Sequence, residues 1–229
     1  MCQPLAVSIF DAVLFDWSGT LVHDPRPADR LRRASEIVGR ETSIDTVGAI
    51  LAALDVARVM PEVEAALRDE DTSAERHRTG NMSWFERAGL DLELAEALYA
   101  FDSDADNRPL YHDAAETLAA LQSRGVKIAV VSDIHLDIRV LLDSQGVAGF
   151  IDACVLSFEH GCQKPDPRMF LTALELLDVA ADHALMVGDR ASHDGGAANV
   201  GIATFILPPP PAVVGARGLD AVTRLVGIG

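Results

Sequence analysis

Residues 12–20 read Ala-Val-Leu-Phe-Asp-Trp-Ser-Gly-Thr. The first four form a short apolar run with the character of a buried strand. The run stops at Asp16, and a Gly-bearing turn, Trp17 to Thr20, follows at once. A carboxylate there suits a site, because ligands of open parallel sheets sit in the crevice outside the carboxyl ends of the strands. An Asp can also simply cap a strand-to-loop turn. Three later apolar runs that end in the same way weigh against that plainer role.

Those runs come after about residue 110. A helix over 113–124 stops at Gly125, and a strand over 127–131 ends at Ser132-Asp133. A helix over 136–144 stops at Gly146, and a strand over 151–156 leads into the loop carrying Lys164-Pro165. Pro167 opens a helix that places Phe170, Leu174 and Leu177 on one face. A strand over 184–187 ends at Gly188-Asp189, and one over 202–206 precedes the stiff Pro208–Pro211 spacer and a last helix over 219–226. Alternating strands and helices predict an α/β fold with a parallel sheet covered on both faces.

From His23 to Asp104 the pattern changes to amphipathic helices with no convincing strand. Leu31, Ala34, Ile37 and Val38 share one face, and Ile44, Val47, Leu51 and Leu54 another. Ser43 and Asp45 offer a cap to the second helix, and Asp24 one to the first. Further helices run through 62–67, 74–88 and 92–101, and the polar stretch 101–110, ending near Pro109, is the return linker. So much helix between two strands exceeds a single crossover. The reading is an α/β core of residues 1–22 and 105–229 with an inserted helical domain at 23–104.

Composition narrows the partners. A net charge of −16 argues against phosphate-driven binding to nucleic acid. No run of about 20 apolar residues is present to span a membrane. The opening ten residues lack a basic region and do not read as a secretory signal. Cys2, Cys154 and Cys162, odd in number and without metal-binding spacing, read as reduced thiols, which points to a cytoplasmic protein. Cys154 is expected in the core.

The strand ends gather the chemistry. Asp16, Asp189 and Asp194 can place carboxylates around one hard cation, for which Mg2+ fits best because it keeps waters and substrate oxygens as its other ligands. Thr20 and Ser132 offer hydroxyls, and Lys164 a point positive charge, to a phosphoryl group. An Asp carboxylate is also a competent nucleophile, able to form an aspartyl phosphate. Together these parts suit phosphoryl transfer by positioning and charge neutralisation.

The segments DWSGT (16–20), VVSD (130–133), KPDPRMF (164–170) and VGDRASHD (187–194) resemble, in order, the four motifs of the haloacid dehalogenase (HAD) superfamily. The resemblance implies a Rossmann-like sheet and Asp16 as nucleophile. It implies phosphate contacts from the Ser18-Gly19-Thr20 loop, from Ser132-Asp133 and from Lys164. It implies Mg2+ held by Asp16, the Ser18 carbonyl, Asp189 and Asp194, and a helical cap that selects the substrate. A small phosphorylated metabolite is the expected partner.

One departure matters. Phosphatases of this superfamily usually carry a second Asp two residues after the nucleophile, as the general acid and base, and here that position is Ser18. Such a group is typically worth ~10²–10⁴ in rate. The departure leaves three readings: an activated leaving group, a reaction other than ordinary phosphomonoester hydrolysis, or an impaired catalyst that binds. Phosphonoacetaldehyde hydrolases, whose motif is similar, use a cap lysine, yet the only lysines here are Lys127 and Lys164, both outside 23–104. Dehalogenases of the superfamily lack the second Asp too, but work without metal and without the pair that Asp189 and Asp194 form here.

Other residues carry weaker expectations. His193 could replace the missing acid and base, as could His23 or His135, since histidine as a residue type titrates near neutrality. A loop histidine is the blander role for each. Trp17 can line the pocket or pack against the helices. The Arg76-His77-Arg78 cluster with Trp84 could meet an anionic substrate, although a solvated helix face is the simpler expectation.

Overall fold

A computed structural model describes residues 9–227, so Cys2 and most of the opening decapeptide lie outside the described residues. Five strands, β1 (Ala12–Phe15), β2 (Lys127–Ser132), β3 (Ala153–Leu156), β4 (Ala184–Gly188) and β5 (Ala203–Ile206), form one parallel sheet ordered β3-β2-β1-β4-β5. β1 is central, with Phe15 opposite Val130 on one side and Val187 on the other. β1, β4 and the middle of β2 are apolar and buried because both faces of the sheet are covered there.

Alternation decides which face each residue serves. Val13, Phe15, Ile128, Val130, Leu185 and Val187 join the cluster under α6 (Ala114–Ser123), α7 (Arg139–Ser144) and α10 (Asp220–Leu225). Leu14, Ala129, Val131 and Met186 point the other way, onto α9 (Pro167–Leu177), which follows the single turn α8 (Ser157–His160). Pro167 starts α9, the Asp166 side chain caps it, and Phe170, Leu174 and Leu177 are its buried stripe, as their spacing predicts. Burying each contributes about 1.5–3 kcal/mol. Lys127 opens β2 as an exposed residue, its ammonium on the Leu177 carbonyl. Cys154 is half-buried at the edge of the first cluster rather than deep in it.

Between β1 and β2 lie α1 (Pro27–Ile37), α2 (Ile44–Arg58), α3 (Pro61–Leu67), α4 (Ala74–Arg87) and α5 (Leu92–Asp102). Leu31, Ala34, Val47, Leu54, Phe85 and Leu98 give this segment an apolar cluster of its own. Ser43 accepts from the Thr46 amide, the expected cap of α2. Asp24 does not cap α1, whose N-cap is Arg26; it accepts instead from Arg108 at 2.8 Å. Ile37 and Ile44 are 57% and 79% exposed, because they are the last residue of α1 and the first of α2, where the chain leaves the packed stripe. α7 begins at Arg139, three residues later than its apolar pattern suggests, since Ile134 to Ile138 form a loop that packs inward. No helix among the described residues is long and apolar enough to cross a membrane.

Candidate active site

β1 ends at the centre of the sheet, so Asp16 emerges where β2 and β4 also end. Its amide donates to the Val187 carbonyl at 2.9 Å, tying it to β4. The carbonyl of Trp17 then accepts from the amides of Thr20, Leu21 and Val22, which folds the loop back on itself. Gly19 makes that turn with φ +75°, and a Cβ there would sit 2.3 Å from Asp189 Oδ2. At Gly188 a Cβ would lie 2.2 Å from the Asp194 carboxyl carbon. Both glycines therefore leave room for the carboxylates beside them.

Asp16, Asp189 and Asp194 converge, each offering an oxygen within 4.8 Å of the others. Lys164, fully buried, donates its ammonium to Asp16 Oδ1 at 2.7 Å and to Asp194 Oδ1 at 2.6 Å. Thr20 Oγ1 donates to Asp16 Oδ2 at 3.2 Å. The second oxygen of Asp194 accepts from the Arg190 amide at 2.9 Å. Ser132 is buried at the end of β2. Asp133, its neighbour, accepts from the Lys164 amide at 2.7 Å and from Arg190 Nη2 at 3.0 Å. Both of its oxygens are thus spent on holding cations in place.

Electrostatics follow from burial. Burial works against the charge on Lys164, but Asp16, Asp133 and Asp194 outweigh it and hold the ammonium above its ordinary pKa. Burial, then the charges of Asp16 and Asp194, push the Asp189 carboxyl up to about 6. Its Oδ1 is buried with no hydrogen-bond partner among the described residues. Three carboxylates against one ammonium leave two negative charges in excess at this point. An orphaned carboxylate oxygen and that excess are what a hard divalent cation satisfies, so the donor set fits Mg2+.

The Asp189 shift sets a pH dependence. In the cation-free fold this carboxyl binds its proton more tightly than in the unfolded chain, so acidification from about pH 6 toward 4 stabilises the fold through this group. A cation competes with that proton. Added Mg2+ is expected to raise Tm clearly at pH 7.5 and progressively less below about pH 6; thermal unfolding across pH, with and without Mg2+, checks this.

A cavity of about 240 Å³ opens above Asp16, lined also by Ser18, Asp189, Arg30 and Arg108. Trp17 is on its wall and wholly buried in the core, so it both lines the site and packs. Of the histidines, His135 and His77 line this cavity. His23 packs edge-on against Tyr111, and His193 bonds Ser192 at the neighbouring cavity, which Lys164 also lines. Within the 76–78 cluster, Arg78 is an exposed partner of Glu96, as a solvated face requires, whereas His77 turns inward. Trp84 serves the helical segment itself, donating to the Leu54 carbonyl at 2.8 Å.

A family model described as haloacid dehalogenase-like hydrolase matches residues 10–201, which span every strand end described above except the last. The chain belongs to the haloacid dehalogenase-like hydrolases. Among curated relatives of this HAD-like chain is the ribulose-1,5-bisphosphate 5-phosphatase of Halopiger xanaduensis, 35% identical over 54% of the chain and 52% of that protein. A glyceraldehyde 3-phosphate phosphatase of Methanopyrus kandleri is 29% identical over 82% of the chain and 79% of that protein. The HAD-like chain spans about half the length of the first curated relatives it matches. Among solved structures, the magnesium-bound HAD-hydrolase YfnB of Bacillus subtilis shares the fold with a TM-score of 0.68 at 18% identity, over 95% of the chain and 98% of its own.

Two side chains that hold the site give no sign in the sequence. Arg217, buried beyond the proline spacer, donates Nε to the Gly19 carbonyl at 2.5 Å and Nη2 to the Pro208 carbonyl at 2.7 Å. Asp113 receives the amides of residues 217, 218 and 219 and so anchors that segment. Arg190, by contrast, stands inside the VGDRASHD motif, and its place beside Asp189 was a usable signal.

Proposed function

We propose that the chain is a Mg2+-dependent phosphatase of a small phosphorylated metabolite, working through an aspartyl phosphate on Asp16. The observation that carries this reading is the buried group of Asp16, Asp189, Asp194 and Lys164 at the ends of adjacent strands. Asp16, Asp189, Asp194 and the Ser18 carbonyl would hold Mg2+, which when bound supplies charge neutralisation for the phosphoryl group. Lys164, Thr20 and Ser132 are the assigned phosphate donors. Asp133 is assigned to positioning Lys164 and Arg190 instead, because both its oxygens are already engaged and a free carboxylate would repel phosphate. The helical segment 23–104 acts in this reading as a cap over the cavity, and a volume of about 240 Å³ favours a small substrate.

Among the fold's known occupants are dehalogenases as well as phosphatases. An acidic trio with an excess of negative charge disfavours a carboxylate substrate arriving without a metal, and so supports the phosphatase. The test is a hydrolysis screen with Mg2+ over sugar phosphates, nucleotides, acyl phosphates and 2-halo acids, with Ser18→Asp in parallel. Phosphate release from at least one phosphate ester or anhydride, lost on chelation, is the expected result. Halide release without metal would refute it. Turnover only in Ser18→Asp would make the native protein a binding module.

A further inference from the structure

Expelling an alkoxide from phosphorus requires a proton, and Ser18 is a poor source of one. The other titratable side chains of the cavity are mostly committed. Asp24 is held by Arg108 and Asp133 by Arg190 and the Lys164 amide, while Asp102, whose Oδ1 makes no hydrogen bond among the described residues, is ion-paired with Arg30 at 3.4 Å. His77 Nδ1 is 3.3 Å from the Tyr99 hydroxyl. His135 differs. It follows β2, the strand beside Asp16, and its side chain is only 9% exposed. Its Nε2 is buried without a hydrogen-bond partner among the described residues.

The other ring nitrogen of His135 faces a carboxylate. Asp71 Oδ1, from the 3-10 turn Glu70–Thr72 of the helical segment, lies 3.7 Å from His135 Nδ1. That exceeds a hydrogen bond, but catalytic contacts in ligand-free sites often tighten only with substrate bound. Asp71 is docked by its own backbone: the buried hydroxyl of Ser157, which accepts from the Ile134 amide at 2.8 Å, stands 2.6 Å from the Asp71 carbonyl. The His77 ring covers one face of His135, centroids 3.4 Å apart and 9° from parallel. The stack holds the plane of the imidazole, and Asp71 stands on its Nδ1 side.

The same three residues bring ligand atoms within 4.8 Å of one another, as a metal site would. Imidazole lone pairs lie in the ring plane, however, and two nearly parallel rings stacked 3.4 Å apart keep them in separate planes rather than converging on one point. The geometry suits an oriented base.

We propose that His135, oriented by Asp71, is the general acid and base of the hydrolysis, taking the role that Ser18 cannot fill. The proposal rests on the phosphatase reading above. As the Asp16 carboxylate bonds to phosphorus and the ester P–O bond breaks, Nε2–H of the imidazolium gives its proton to the departing oxygen. Nε2 then takes a proton from water, whose oxygen bonds to phosphorus as the bond to Asp16 breaks. Phosphate and an alcohol leave, and Asp16 and the imidazolium are regenerated. His135 is the catalytic residue here and Asp71 the positioning one.

The experiment measures kcat/KM for a series of substituted phenyl phosphates, from p-nitrophenyl to p-methoxyphenyl, in wild type, His135→Gln and Asp71→Asn. For His135→Gln the loss is expected to grow along the series with the basicity of the leaving group, toward the ~10²–10⁴ of a general acid. It should be small for p-nitrophenyl phosphate, which departs with little help. Asp71→Asn should steepen the same dependence by less. A loss of equal size along the series is a structural effect, and that result, or no loss at all, overturns the assignment. A wild type that releases phosphate from none of these compounds, nor from the metabolite panel, overturns the phosphatase reading and this assignment with it.

Discussion

Asp16→Asn is expected to abolish phosphate release, by on the order of 10⁴-fold or more, the size seen when a residue that acts as part of a catalytic unit is removed. The amide is nearly isosteric, so the fold should survive. The Lys164 ammonium would still find an oxygen if the amide orients correctly, and Thr20 keeps a partner at the same distance. What goes is the proposed nucleophile and one unit of charge in the trio. Kinetics on whichever phosphate the screen identifies, alongside a thermal melt, separate the two effects. Retained turnover would remove Asp16 from the chemistry.

Lys164→Ala is expected to cost stability as well as activity. The ammonium is fully buried and is the shared partner of Asp16 and Asp194. Removing one partner of a buried ion pair leaves uncompensated charge, typically at a cost of about 3–5 kcal/mol. Lys164→Met, which keeps the bulk, should lose nearly as much and so assign the loss to charge rather than to a cavity. Saturating Mg2+ should return part of it by neutralising the same carboxylates. Urea unfolding in chelator and in Mg2+ measures both terms. A change below about 1 kcal/mol for Lys164→Met would contradict the charge balance described here.

These two residues were legible because each follows a local signal. Asp16 and Asp189 stop apolar runs, and strand ends of a parallel sheet meet in space whatever lies between them. Lys164 and Asp194 belong to short motifs beside such ends. The helices of residues 23–104 were legible from periodicity, but periodicity reports a face and not its occupant. Ile37 and Ile44 obey it and still lie in solvent. His77 sits between two arginines on a helix that reads as polar, yet it is turned inward onto a loop histidine 58 positions away. Asp71 lies in an acidic run with no motif, and only the docking of its turn on Ser157 brings it to His135. Asp24 and Arg217 carry no local signal of their roles for the same reason, since their partners, Arg108 and Gly19, are far away in the chain.

The central claim is a phosphoryl group carried on Asp16. Rapid acid quench of the wild-type protein mixed with Mg2+ and a turned-over phosphate, followed by peptide mass spectrometry, tests it directly. The account predicts a transient phosphoryl adduct on the peptide bearing Asp16, absent from Asp16→Asn. A carbon-linked ester on Asp16, or a phosphoryl group on a different residue, would contradict it.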